Sequence, residues 1–149
     1  MNIQTEKLEL IVWISLLSLT ILFLTSCEKY KDFDNLEVTE NSFTGTISIT
    51  ESAGDLDGVF NGTGDSGTYT FIWDNPAKGA VLNIDASSSS GGSIQFVLKD
   101  SRGNEALNEE ISSGESDTFS MDGKKGKWKV KMVFSDLEGD GNFDLNPVN

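Results

Sequence analysis

A chain of 149 residues with 24 Asp and Glu against 11 Lys and Arg carries a formal charge of −13, and it has one cysteine and no histidine. Such acidity repels phosphate-rich partners and excludes nucleic acid as the expected ligand. The missing histidine removes Ser-His-Asp and Cys-His catalysis, most zinc sites and the commonest general base near neutral pH.

In chain order, the first feature is an apolar run from Leu10 to Leu24, broken only by Ser15, Ser18 and Thr20. As a helix it would reach about 22 Å at 1.5 Å per residue, short of the roughly 30 Å of a bilayer's hydrocarbon core. That length suits the h-region of a secretory signal peptide, which is removed from the mature chain. The run closes on Leu24, Thr25, Ser26 and Cys27, which resembles the lipobox of bacterial lipoproteins. The resemblance implies cleavage between Ser26 and Cys27, acylation of the sulfur, and more than one lipid chain on Cys27, as stable anchoring requires. The alternative is an uncleaved membrane helix with an incidental cysteine. The expected partner is therefore the membrane, through lipid on Cys27, and the expected location is the bacterial outer membrane or cell surface. The charged residues that follow Cys27 are similar to the short export signal of surface-displayed lipoproteins.

Cleavage would leave a net charge of about −12 and no free thiol, so the remaining domain must be held by its hydrophobic core or by bound metal rather than by disulfides. Three segments are expected: a signal peptide, 1–26; the lipidated cysteine and a flexible tether, 27–42; and one β-sandwich domain, 43–149. The tether reading rests on "EKYKDFDNLEVTENS", charged and without a sustained period.

Beyond Ser42 the apolar period is two. Phe43, Ile47 and Ile49 share a face, then Tyr69, Phe71 and Trp73, then Leu82, Ile84 and Ala86, then Ile94, Phe96 and Leu98. Phe119 and Met121 make a short set. Trp128, Val130, Met132 and Phe134 alternate with Lys127, Lys129 and Lys131, and Phe143 and Leu145 close the series. Turn signals separate the runs: "DNPAKG", "SSSSGG", "DSRGN", "SSGES", "DGKKG" and "DLEGDG". "EALNEEI" fits either a frayed strand or one helical turn. The pattern predicts an all-β fold, an antiparallel β-sandwich of jelly-roll or Ig-like type with seven or eight short strands.

The succession "GTYTF", "GAVLNID", "IQFVLKDSRGN", "GKWKVKMVF" and "GDGNFDL", from Gly67 to Leu145, resembles the pre-peptidase C-terminal type of bacterial β-sandwich. That resemblance implies a noncatalytic accessory sandwich.

In "DLEGDGNFD", the residues Asp136, Glu138, Asp140, Asn142 and Asp144 recur at every second position around Gly141. Calcium takes six to eight oxygens, and the stretch resembles the first nine positions of an EF-hand loop, although Pro147 stands where the bidentate glutamate belongs. The alternative is a β-hairpin turning at Gly139, Asp140 and Gly141. No cofactor is expected unless that loop binds Ca2+. Asp55, Asp57 and Asp65 lie in a glycine-rich stretch whose plainer reading is a mobile loop. Lys127, Lys129 and Lys131 would line one strand face, either protecting an exposed sheet edge or meeting an anionic glycan or lipid headgroup. Tyr69, Trp73 and Trp128 are expected in the core, with stacking on sugar rings as the alternative.

The sequence thus predicts a lipid-anchored envelope lipoprotein with a noncatalytic β-sandwich, a binding or structural module for an unidentified protein or glycan partner. The alternatives are a glycan-binding accessory protein of a polysaccharide-capture system and, last, a small carboxylate hydrolase.

Overall fold

The computed structural model describes residues 36–87 and 89–149. The apolar run, Ser26 and Cys27 lie outside them. Eight strands follow one another: β1 (Glu37–Asn41), β2 (Thr46–Ser52), β3 (Asp55–Asn75), β4 (Gly79–Asp85), β5 (Gly91–Lys99), β6 (Glu105–Ser112), β7 (Ser116–Asp122) and β8 (Gly126–Val148). All pairings are antiparallel, and no helix occurs among the described residues. The fold is an all-β antiparallel sandwich.

Two strands organise it. β3, of 21 residues, and β8, of 23, pair along nearly their whole length, and this ribbon bends so that each strand belongs to both layers. In the first layer the second half of β3 and the first half of β8 lie between β1 on one side and β5 and β6 on the other. In the second layer the first half of β3 and the second half of β8 lie between β2 and the β4–β7 pair.

The bend requires a change of side-chain parity, because alternate residues of a strand point to opposite faces. Along β3 the buried positions are Leu56 and Phe60, even-numbered, and then Phe71 and Trp73, odd-numbered. Along β8 they are Trp128, Val130, Met132 and Phe134, and then Leu137, Phe143 and Leu145. Each switch falls on a bulge, where an extra residue bends the strand. On β3 the register shifts between Thr63 and Gly67. On β8, Asp136 takes φ +49° and Gly139 φ +113°. Ser66 locks the two bulges together: its Oγ accepts from the Asp136 N–H (2.8 Å) and donates to Asp136 Oδ1 (3.1 Å).

Two sequence expectations fail here. Gly139, Asp140 and Gly141 do not turn a hairpin; β8 runs through them as one strand. The supposed loop around Asp55 and Asp57 is the first half of β3. In both places one glycine makes room for a ring. A Cβ at Gly58 would run into the Phe143 ring, and one at Gly141 into the Phe60 ring. The tether reading also extends too far, since Glu37–Asn41 is β1, paired with β3. "EALNEEI" is part of the edge strand β6.

The core lies between the layers. Phe96 of the first meets Phe143 of the second edge-on, with ring centroids 5.4 Å apart, and Phe43 stacks on Phe134 at 3.9 Å. Each such side chain removed from water contributes about 1.5–3 kcal/mol. One end of the sandwich gathers the β2–β3, β3–β4, β5–β6 and β7–β8 turns and the start of β1. The other holds the two bulges.

Candidate functional site

Because Leu56, Phe60, Leu82, Ile84, Phe143 and Leu145 point inward, their alternating neighbours cover the outer face of the second layer. Across it Asp57 opposes Asp144, Val59 opposes Asn142, and Asn61 opposes Asp140. Continuing over β4 and β7, Asn83 and Asp85 oppose Asp144 and Asn142, and Thr118 opposes Asn83. Hydrogen bonds tie part of this row together: Asn83 Nδ2 and Asn146 Nδ2 both donate to Asp144 Oδ2 (2.7 and 2.6 Å), and Thr118 Oγ1 donates to Asn83 Oδ1 (2.8 Å). Two open depressions adjoin here. One, of about 380 Å³, is lined by Thr46, Ser48, Asn61, Asp85, Asp140 and Asn142 together with the apolar Ile47, Val59 and Phe60 and with Gly141. The other, of about 430 Å³, is lined by Asn83, Asp85, Ser116, Thr118, Asn142 and Asp144. Asp85 and Asn142 belong to both. Neither depression has a lysine or arginine in its lining, so the face offers amides, hydroxyls and carboxylates around the 56% exposed Val59.

The residues expected to hold calcium are spread along a strand. Glu138, Asp140, Asn142 and Asp144 share one side of β8, where successive same-side residues stand about 7 Å apart, whereas a calcium ion needs its oxygens at about 2.3–2.6 Å. Asp136 sits apart in the bulge with Ser66. Among the described residues no group of three or more acidic, cysteine or histidine side chains could hold a metal ion. Asp55, Asp57 and Asp65 are likewise not gathered. Asp65 accepts from Thr44 Oγ1 and the Thr63 N–H, both at 2.6 Å, and these bonds, Thr44's first, hold its carboxyl below the usual range.

Trp73 and Trp128 are fully buried (0% exposed) and meet edge-on at 5.8 Å. Their indole N–H groups donate to Gly54 O (2.8 Å) and Lys124 O (2.7 Å), so each ring also fastens a turn. Tyr69 is half-buried against the core, and burial raises its phenol pKa. These three aromatic residues pack as the alternation predicts and do not form a sugar-stacking platform.

The lysines correct another expectation. β8 has β3 on one side and β5 on the other, so Lys127, Lys129 and Lys131 line a central strand and guard no edge. Lys99 stands directly opposite Lys129, an arrangement that costs stability through like-charge repulsion. Edge protection comes from a residue the periodicity hid. Glu109 is in register with the buried Phe96 but remains exposed on edge strand β6, an inward-pointing charge that blocks pairing with another sheet.

Asp100 was also missed. It is 7% exposed and accepts hydrogen bonds from the backbone N–H of Arg102 (2.9 Å), Asn104 (2.9 Å) and Lys124 (3.1 Å), which joins the β5–β6 and β7–β8 turns. Burial alone would raise its pKa, but these bonds outweigh it and the net shift is downward. The signal in the sequence was an aspartate at the head of "DSRGN", an Asx-turn pattern. Asp85 is lowered in the same way by the Ser87 hydroxyl and N–H. Glu51 moves upward, through burial first and then the nearby Asp74 carboxylate; neither Glu51 nor Asp74 lines the two depressions.

No family model matches the chain, and no curated protein matches it. Solved structures with a similar course include a family 61 carbohydrate-binding module in complex with β-1,4-galactotriose, at 13% identity and TM-score 0.41, over 69% of this chain and 86% of that one. A family 29 carbohydrate-binding module aligns at 14% identity and TM-score 0.36, over 74% and 82%. The enzymatically active domain of tailspike protein 4 of bacteriophage CBA120 aligns at 11% identity and TM-score 0.38, over 75% and 18%. With identities and TM-scores this low, these likenesses carry no argument, and what the chain does is read from its own geometry.

Proposed function

We propose that this protein is a bacterial envelope lipoprotein, anchored at the outer membrane or cell surface through lipid on Cys27, and that its sandwich is a noncatalytic binding module. The observation that carries the reading is the apolar run closing on Leu24, Thr25, Ser26 and the chain's single cysteine. Cells fed a labelled fatty acid should label the protein, and Cys27→Ala should abolish the label and leave the precursor uncleaved. Label that persists in the variant overturns the reading.

The ligand class that fits the outer face of the second layer is a neutral glycan. Two adjoining depressions that set amides, hydroxyls and carboxylates beside Ile47, Val59 and Phe60, without a cation, can give and accept many hydrogen bonds while repelling anions. With Trp73 and Trp128 buried, affinity would come from hydrogen bonds and contact with Val59 rather than ring stacking. Electrophoresis through gels containing neutral polysaccharides is the test. Retardation by at least one, reduced by Asp85→Ala with Asn142→Ala at a temperature where the variant is still fully folded, supports this reading; retardation that survives both changes places binding elsewhere.

A further inference from the structure

Four residues on the outer face of the second layer form a checkerboard. Asn83 of β4 stands opposite Asp144 of β8, and two residues further along each strand Asp85 stands opposite Asn142. Carboxylates therefore occupy one diagonal and amides the other. Directly opposed side chains stand about 4.5–5.5 Å apart at Cβ, and diagonal ones about 7–8 Å. All four line the second depression. Hydrogen bonds give the pattern a direction. Thr118 Oγ1 donates to Asn83 Oδ1, and Asn83 Nδ2 donates to Asp144 Oδ2, so the nitrogen of this amide is turned toward the carboxylate. Asn146 Nδ2 donates to the same oxygen. Asp144 Oδ2 thus takes both bonds, and Oδ1 has no partner among the described residues. Asn83 keeps a second N–H, and Asn142 is exposed.

The arrangement costs the fold stability. On its other side Asp144 faces Asp57 directly, and like charges in direct opposition destabilise a sheet. No lysine or arginine occurs on β2, β4 or β7 to offset the pair. An ionised carboxylate only accepts hydrogen bonds, and those it accepts are about twice as strong as neutral ones. Asp144 Oδ1 therefore calls for an O–H donor, while the amide N–H groups beside it call for an oxygen. Two hydroxyls on neighbouring carbons of a sugar ring meet both needs: one donates to Asp144 Oδ1, and the other accepts from Asn83 or Asn142 Nδ2.

We propose that this checkerboard selects glycans by their adjacent free hydroxyls, with Asp144 as the residue that reads the donor. The inference rests on the neutral-glycan reading above and narrows it. Chains joined by 1,4 or 1,6 linkages keep free hydroxyls on neighbouring ring carbons, whereas the inner residues of a 1,3-linked chain do not. O-methylation leaves only acceptors, which the carboxylate repels. Loss of one hydrogen bond to a charged group weakens binding about tenfold or more.

The test is electrophoresis of the full-length protein, in neutral detergent, through gels containing galactomannan (1,4-linked), dextran (1,6-linked) or laminarin (1,3-linked), each untreated and O-methylated, with retardation converted to affinity. Selection by adjacent hydroxyls requires that galactomannan or dextran retard the protein, and that methylating that polymer weaken its affinity about tenfold or more. Laminarin should bind weaker by a similar factor. Asp144→Asn keeps the shape of the side chain and removes its charge. Measured where the variant is fully folded, it should bring the ratio of untreated to methylated affinity close to one. A merely structural role for Asp144 would lower both affinities and leave their ratio unchanged. Equal affinity for untreated and methylated polymer, retardation by laminarin alone, or a ratio that survives Asp144→Asn overturns this inference while the glycan reading stands. No retardation by any of the polymers overturns both.

Discussion

Val130 and Lys129 are adjacent on β8 and face opposite ways, so the same substitution has very unequal effects. Val130→Asp places an uncompensated carboxylate between the layers and should cost several kcal/mol, of order half the stability of a domain this size. Lys129→Asp should be mild, since it also ends the repulsion with Lys99. Equal losses in melting temperature would mean that the register is wrong. Asp65, Asp85 and Asp100 act together on the pH dependence. Their folded pKa values are lowered, so their stabilisation is fully present above the ordinary aspartate pKa of about 3.9 and is lost as pH falls through the lower folded values. Glu51, raised, has the opposite sign and adds stability only on the acid side. With three groups against one, the melting midpoint should be level from pH 7 to about pH 5 and fall below about pH 4; a midpoint that rises on acidification would contradict this. Calcium should leave the midpoint where chelator leaves it, because the Glu138–Asp144 row cannot converge on an ion. A rise that Asp140→Ala with Asp144→Ala removes would restore the metal site.

At the scale of the strand, the bent ribbon of β3 and β8 depends on glycines that admit aromatic rings. Gly58→Ala should cost about 1–3 kcal/mol by overpacking against Phe143, and Phe143→Leu should recover part of that loss in the double variant. Additive losses would show that the contact is not the cause. These same glycines limit what the sequence discloses. Strands with regular alternation, such as "WKVKMVF" and "SIQFVLK", could be read directly, and five of the six turn signals do mark turns or connections. "DLEGDG" and "ESAGDLDGVFNGTGDSG" are as rich in glycine and aspartate as true loops, and only the neighbouring ring shows that a glycine is making room rather than turning. Edge strand β6 was ambiguous for another reason: Glu109 occupies an inward position and breaks the period. The aspartates of β8 could be read as a set but not placed, since a two-residue repeat describes a loop that converges and a strand that spreads equally well.

For the whole molecule, the feature that matters is that both layers share their two central strands. Neither layer can open without unpairing β3 from β8, so thermal and denaturant unfolding should be a single two-state transition with coincident probes, and the slowest-exchanging amides should lie in β3 and β8 of both layers. Contacts between segments this far apart also predict folding in the millisecond-to-second range. Order of synthesis adds a further consequence. A chain that emerges N-terminus first presents β1 to β7 before β8 arrives to sit at the centre of either layer, and until then β3 lacks the partner that bends it. A chain that ends before Gly126 should therefore show no cooperative unfolding transition, because neither layer can close without its shared strand.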